Sequence, residues 1–307
     1  MKHLLGLKET SEIEIQQILS DAFEMKKILV QDEKKGKLLV GKSVITVFFE
    51  NSTRTRLSFE LASKYLGATA ANIAVANSSV AKGETLIDTV RTIDSMAADV
   101  IVVRHSASGA PHLISKYTNA SVINAGDGMN EHPTQALLDM MTMQEVKGDI
   151  KGLKVAIIGD VKHSRVARSN IYGLNKMGAE VVLAGPTTLL PNEMERMGVK
   201  VYTDVEKAIS DADVVMGLRI QLERQKKGLF PTVREYNKYF GVNAERLALA
   251  KPDAILMHPG PVNRGVEINA DLADGTQSFI NQQVTNGVCV RMAVLNILAN
   301  NKNFTNL

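Results

Sequence analysis

The chain holds one cysteine in 307 residues, Cys289, so no disulfide can close within it. That cysteine lies in the apolar run "GVCVRMAVL" and reads as a small buried hydrophobe. No apolar stretch approaches the ~18 residues that a membrane helix needs. The opening "MKHLLGLKET" has no long apolar core of the kind a secretory signal carries. A cytoplasmic protein with no membrane partner is expected, and the sequon Asn51-Ser52-Thr53 is read as coincidence. Charge of one sign is also missing. Lys and Arg number 36 against 33 Asp and Glu, a net +3, and the basic residues form no block, which argues against nucleic-acid binding. The six histidines show no H-E-x-x-H pairing for a metal. There is no G-x-S-x-G elbow, no Walker A loop and no G-x-G-x-x-G fingerprint. Neither a fixed-period repeat nor a low-complexity tract occurs.

Hydrophobic residues make up 45% and charged residues 22%, the balance of a folded globular chain. Ser11 and Glu14 form a capping box ahead of a helical run, residues 13–29. "SVITVFF" predicts a strand and "TRLSFELASKYLGA" a helix stopped by Gly67. "TAANIAV", "DVIVVRH" and "ASVINAGDG" read as strands. "GETLIDTVRTIDSM" places Leu86, Val90, Ile93 and Ala97 on one helical face. "HPTQALLDMMTMQEV" opens a helix with Pro133 in its first turn, and its methionines read as core filling. The pattern then restarts with strands at "LKVAIIGD", "AEVVLAG", "DVVMGLRI" and "PDAILMHPG". Helices are expected at "SRVARSNIYGLNKMG", "DVEKAISDA" and "NGVCVRMAVLNILANN". The strands are continuous apolar runs alternating with helices, which predicts parallel sheets covered on both faces. Two such runs, split near Glu145 to Gly152, predict two doubly wound α/β domains.

In an open parallel sheet, ligands bind beyond the carboxyl ends of the strands. The residues that follow each predicted strand are polar and cationic: Ser52, Thr53, Arg54 and Thr55; then Arg104 and His105; His132 and Gln135; Lys162, His163 and Arg165; Arg219 and Gln221; and His258-Pro259-Gly260-Pro261. One basic cleft shared by the two domains is expected. The turn at "STRTR" offers free N–H groups, a helix dipole, hydroxyls and a guanidinium, all suited to an anion such as phosphate. The bland alternative is a plain helix cap beside a solvated arginine. Taken singly, Lys82, Arg165 and Arg219 fit surface cations better than ligands, and His132 fits a helix-entry donor.

The combination is more specific than its parts. "FFENSTRTRLSFE", "KGETLIDT", "VVRH", "NAGDGMNEHPTQALLD", "GDVKHSRVARS", "LRIQLER" and "HPGPVNRGVEI" occur in that order. Together they resemble the carbamoyltransferase family from Lys2 to about Leu298, on its branch of aspartate carbamoyltransferase catalytic chains. "LRIQLER" and "HPGP" point to an aspartate rather than an ornithine acceptor.

The resemblance implies transfer of the carbamoyl group of carbamoyl phosphate to L-aspartate, an early step of pyrimidine synthesis, with no metal and no organic cofactor. It implies a carbamoyl-phosphate domain at 1–133 plus 286–307 and an aspartate domain at 134–285, with the closing helix returning to the first. By the same resemblance Ser52, Thr53, Arg54 and Thr55 hold the phosphate. Thr55, Arg104 and His132 contact the carbamoyl oxygen, Gln135 its amino group, and Gly260 and Pro261 supply backbone contacts. Arg165, Arg219 and Gln221 hold the carboxylates of aspartate. Lys82 touches phosphate and aspartate from an adjacent chain of a homotrimer. Ser79, which keeps the local context of the family's loop serine, joins the carbamoyl-phosphate site, while Ser78 keeps the spacing to the lysine. Arg54, Thr55, Lys82, Arg104 and His132 are the catalytic set so implied. No motif bears on a regulatory chain.

Overall fold

The computed structural model describes residues 1–300 apart from 33, 35, 75–83 and 221–231. The expected site residues Ser79 and Lys82, the alternative Ser78, and Gln221 lie outside the described residues. Contacts divide the chain into unit 1, Met1–Met141 with Thr285–Leu307, and unit 2, Thr142–Val284.

Unit 1 carries strands β1 (Ser43–Phe48), β2 (Thr69–Ala74), β3 (Val100–His105) and β4 (Ser121–Asp127), all parallel, in the order β2-β1-β3-β4. The sheet is parallel because each connection contains a helix: α2 (Thr53–Tyr65), α3 (Leu86–Ser95) and α4 (Ala110–Ile114) link the four strands in turn. Helix α1 (Glu12–Leu29) precedes them and α5 (Pro133–Lys147) follows. Every residue of β4 is buried, as expected for a strand covered on both faces. Val47, Val90, Ile93, Ile101, Val103 and Val122 form one core cluster, each worth roughly 1.5–3 kcal/mol on burial. The capping box is present: Glu14 N donates to Ser11 Oγ at 3.3 Å, and Ser11 N donates to Glu14 Oε2 at 2.9 Å. Helix α3 stops at Ser95 rather than running on to Ala97, which adopts φ +59. Met140, Met141 and Met143 have no exposure, so the methionines of α5 do fill core space.

Unit 2 carries β5 (Lys154–Ile158), β6 (Glu180–Ala184), β7 (Lys200–Tyr202), β8 (Val214–Gly217) and β9 (Ile255–Met257), again all parallel, in the order β7-β6-β5-β8-β9. Its helices are α6 (Arg165–Lys176), α7 (Val205–Ile209), α8 (Val233–Phe240), α9 (Ala244–Leu247) and α10 (Ala270–Ala273). The closing helix α11 (Ile280–Ala299) begins in unit 2 and ends in unit 1. It starts before the expected Asn286, because "INQQVT" is polar and hides its helical periodicity. Ala156, Ile158, Val182, Val215 and Leu256 anchor the unit 2 core. Cys289 is fully buried, and its Sγ donates to Thr285 O at 3.5 Å. Among the described residues, no helix is long and apolar enough to cross a membrane.

Candidate active site

Strand order decides where each sheet can bind a ligand. In unit 1 the chain leaves β1 toward β2 on one side and later places β3 on the other, so the order reverses between β1 and β3. In unit 2 it reverses between β5 and β8. Such switch points leave a crevice at the carboxyl ends of the two strands, where neighbouring connections run away from each other. The predicted residues fall there: Ser52 to Thr55 follow β1, Arg104 is the next-to-last residue of β3, Arg165 follows β5, and Arg219 follows β8.

In unit 1, Ser52 is the N-cap of α2 in extended geometry, but its side chain makes no capping hydrogen bond and the first turn of α2 contains no acidic residue. The orphan N–H groups and positive dipole end of a 13-residue helix are therefore not met by Ser52 or by an acidic side chain in that turn. Thr53 and Arg54 are exposed, whereas Thr55 is buried. Arg56 is exposed, and its charge helps, after Lys64 and Asn72, to hold the Glu60 carboxyl below its usual range.

Phe48 pairs with Arg104 across β1 and β3, and Phe49 N donates to Arg104 O at 2.9 Å. The strand pairing thus sets Arg104 level with the end of β1. Its side chain, 12% exposed, lies 3.4 Å from Glu50 Oε2 and donates through Nη1 to Ala125 O of β4 at 3.3 Å. The guanidinium is held between Glu50, just past β1, and strand β4.

The turn from β4 into α5 is tied by buried carboxylates. Asp127 accepts from Gly109 N at 2.6 Å, Asn124 Nδ2 at 2.8 Å and Glu131 N at 3.1 Å. Glu131 in turn accepts from Leu7 N at 2.6 Å and Lys8 N at 3.2 Å. This scaffold fixes His132 and Gln135, both buried, at the start of α5. Gln135 Nε2 donates to Asp139 Oδ1 at 2.9 Å. Unit 1 therefore collects Ser52, Thr53, Arg54, Thr55, Arg104, His132 and Gln135 along the carboxyl ends of its strands.

In unit 2, Gly159 ends β5 at φ +133, a conformation glycine adopts freely. A Cβ there would lie 3.1 Å from the Tyr236 hydroxyl and 3.2 Å from Leu218 Cβ, so the strand ends close to its neighbours. Asp160 accepts from His163 N at 3.1 Å and faces its ring Nδ1 at 2.9 Å, shaping the turn into α6. Ser164 caps α6, accepting from Ala167 N at 3.0 Å, and Arg165 follows, only 5% exposed. Leu218 N donates to Ile158 O at 2.8 Å, which sets Arg219 beside the end of β5.

The loop after β9 is equally fixed. Gly260 N donates to His258 Nδ1 at 2.8 Å, so the ring proton lies on Nε2 and points to Glu267 Oε1 at 3.2 Å. Glu267 also accepts from Asn263 N at 2.7 Å, and Asn263 Nδ2 donates to Ile220 O at 3.1 Å. Gly260 and Pro261 are thereby fastened to the segment that carries Arg219. Burial, with Glu267 and Asp160 nearby, pushes the Tyr236 phenol up, so it stays neutral.

Several of these residues escape a reading of strand ends: Glu50, Asp127, Glu131, Asp139 and Glu267. Chemically, the helix N–H groups, hydroxyls and Arg54 of unit 1 suit an anion, and Arg104, His132 and Thr55 add further hydrogen-bond donors along the same strand ends. Unit 2 presents two guanidiniums, the natural complement of carboxylates.

Comparison with known proteins gives a consistent picture. Residues 2–145 match the model of the aspartate/ornithine carbamoyltransferase carbamoyl-P binding domain, and residues 151–298 that of the Asp/Orn binding domain. The chain is 68% identical over 297 residues to an aspartate carbamoyltransferase catalytic subunit from Acetivibrio thermocellus, covering 97% of this chain and 95% of that one. It is 67% identical, with the same coverage, to the one from Ruminiclostridium cellulolyticum. The aspartate transcarbamoylase of Trypanosoma cruzi, solved with carbamoyl phosphate and aspartate, superposes with a TM-score of 0.86 at 31% identity, over 96% of both chains. The ornithine carbamoyltransferase of Pyrococcus furiosus gives 0.86 at 32%, over 98% of both.

Proposed function

The chain belongs to the aspartate/ornithine carbamoyltransferase family, and from that premise we propose that it transfers the carbamoyl group of carbamoyl phosphate to the amine of L-aspartate. The products are N-carbamoyl-L-aspartate and phosphate, which places the reaction in pyrimidine synthesis. The observation that carries this reading is the placement of "STRTR" and Arg104 at one switch point and of Arg165 and Arg219 at the other. An anion site is matched with a carboxylate site, and the two arginines of unit 2 favour an acidic acceptor over the cationic ornithine.

Ser52, Thr53, Arg54 and Thr55 bind the phosphate. Thr55, Arg104 and His132 donate to the carbamoyl oxygen, and Gln135 accepts from its amino group. Arg165 and Arg219, with Gln221, hold the aspartate carboxylates, and the backbone of Gly260 and Pro261 borders the carbamoyl group. The aspartate amine attacks the carbamoyl carbon. A C–N bond forms, the carbonyl oxygen gains charge, and the C–O bond to phosphate then breaks. Each donor to that oxygen is worth about 3–4 kcal/mol of barrier, and fixing the two reactants in line contributes roughly 7–11 kcal/mol at most. The departing phosphate takes the proton that the amine releases. No covalent enzyme intermediate is required, because phosphate is already a good leaving group.

Lys82 and Ser79 complete the site from a neighbouring chain of a homotrimer, and the enzyme works in the cytoplasm. Mixing inactive Lys82→Ala and Arg54→Ala trimers then regenerates activity; hybrids without activity count against shared sites. The decisive assay supplies carbamoyl phosphate with either aspartate or ornithine. Carbamoyl-aspartate and phosphate form with aspartate; turnover of ornithine alone would overturn the assignment.

A further inference from the structure

Gln135 and Asp139 are four residues apart on α5, so their side chains meet on one helix face. Gln135 is 8% exposed and Asp139 not at all, and Gln135 Nε2 lies 2.9 Å from Asp139 Oδ1. The two ends of a glutamine amide are interchangeable in shape but not in chemistry. An ionised carboxylate only accepts hydrogen bonds. The NH2 end of Gln135 must therefore face Asp139, and the carbonyl Oε1 is turned to the other side, where it meets no hydrogen-bond partner among the described residues.

Asp139 faces a buried cation carried by α11, whose charge its own opposes. Arg291 is 4% exposed. Its Nη1 donates to Ser58 Oγ at 2.9 Å and Gly287 O at 3.0 Å, and its guanidinium carbon lies 5.2 Å from the Phe59 ring centroid. Burial pushes this guanidinium down to about 10, against the opposing pull of Asp139, so it is still charged at neutral pH. A buried anion close to a buried cation is far better stabilised than either alone.

We propose that Asp139, backed by Arg291, is a positioning residue that makes Gln135 an obligate acceptor and so a specificity determinant for carbamoyl over acetyl phosphate. The inference deepens the carbamoyl-transfer reading and rests on it. A carbamoyl group offers an N–H to Gln135 Oε1. An acetyl group places a methyl of similar size there and leaves a buried acceptor unsatisfied.

The test measures binding of carbamoyl phosphate, acetyl phosphate and inorganic phosphate to the full-length protein. The wild-type chain prefers carbamoyl to acetyl phosphate by about tenfold, equivalent to roughly 1.4 kcal/mol. In Asp139→Asn the residue at 139 can also donate, the amide of Gln135 is free to turn, and the preference falls toward unity while inorganic phosphate binds as before. Arg291→Met reaches the same result from the other side, by letting Asp139 take up a proton; Arg291→Lys keeps the charge and keeps the preference. The idea is overturned if the wild-type chain shows no preference, or if it persists in folded Asp139→Asn and Arg291→Met. It is equally overturned if all three ligands weaken together, the mark of a purely structural role. Wild-type turnover of carbamoyl phosphate with aspartate, scored separately, tests the family reading; turnover without a carbamoyl preference sinks this inference alone.

Discussion

In unit 1 the helix that leaves the switch-point strand begins at Ser52, whose hydroxyl caps nothing, and the arginine behind it is exposed. In unit 2 the corresponding helix begins at Ser164, whose hydroxyl accepts from Ala167 N, and the arginine behind it is buried. Topology is shared: a parallel sheet, a reversal of strand order, and a helix opening beside it without an acidic first turn. Allocation of donors differs. A phosphoryl group has several oxygens pointing in different directions and is best met by a ring of N–H and O–H donors around a helix end. A carboxylate is planar and is best met by a guanidinium fork held rigidly by its surroundings. The hydroxyl that caps the helix in unit 2 makes no capping bond in unit 1.

The largest expected effect breaks the comparison on the phosphate side. Arg54→Ala lowers kcat by about 10²–10³-fold, the loss seen when one transition-state donor is removed, with aspartate binding little changed; a normal kcat in steady-state kinetics removes the phosphate role. On the carboxylate side, Arg219→Ala raises the KM for aspartate by roughly 10–150-fold, the worth of a charged hydrogen bond of ~1.5–3 kcal/mol. It leaves the affinity for carbamoyl phosphate near wild type, and an unchanged aspartate KM refutes the assignment. The smallest effect sharpens the contrast between the two serines. Ser164→Ala costs about 1 kcal/mol in denaturant unfolding through loss of the cap. Ser52→Ala leaves stability within ~0.5 kcal/mol but weakens carbamoyl-phosphate binding. Equal stability losses in the two variants would mean that both hydroxyls are caps.

Much of this was legible in the chain because its signals are local. The apolar runs at β1, β3, β4 and β5 announce strands covered on both faces, and the capping box at Ser11 and Glu14 is a four-residue pattern that the structure reproduces. Helix α11 starts earlier than its periodicity suggests because its first turns are polar, and the short helices α4, α8, α9 and α10 left no pattern long enough to read. The cations at strand ends could be listed from the sequence. Which of them have fixed side chains could not. Arg104 is held by Glu50, in the connection after β1, and by Ala125 O of β4. Gly260 is fastened through His258 to Glu267. Such partners are chosen by strand pairing and loop path, and composition around either residue carries no trace of them.

The sequence by itself determined the alternation of strand and helix, the parallel character of both sheets, and which chemical groups follow each strand. Hydrophobic periodicity and turn chemistry are properties of neighbouring residues, and they act before any distant contact forms. Only the tertiary structure decided that β1 lies beside β3 and β5 beside β8, and that the buried carboxylate of Glu131 accepts from Leu7 N. Strand order and buried hydrogen bonds depend on residues far apart in the chain being brought within 3–4 Å of one another, and that proximity arises only when the sheets assemble.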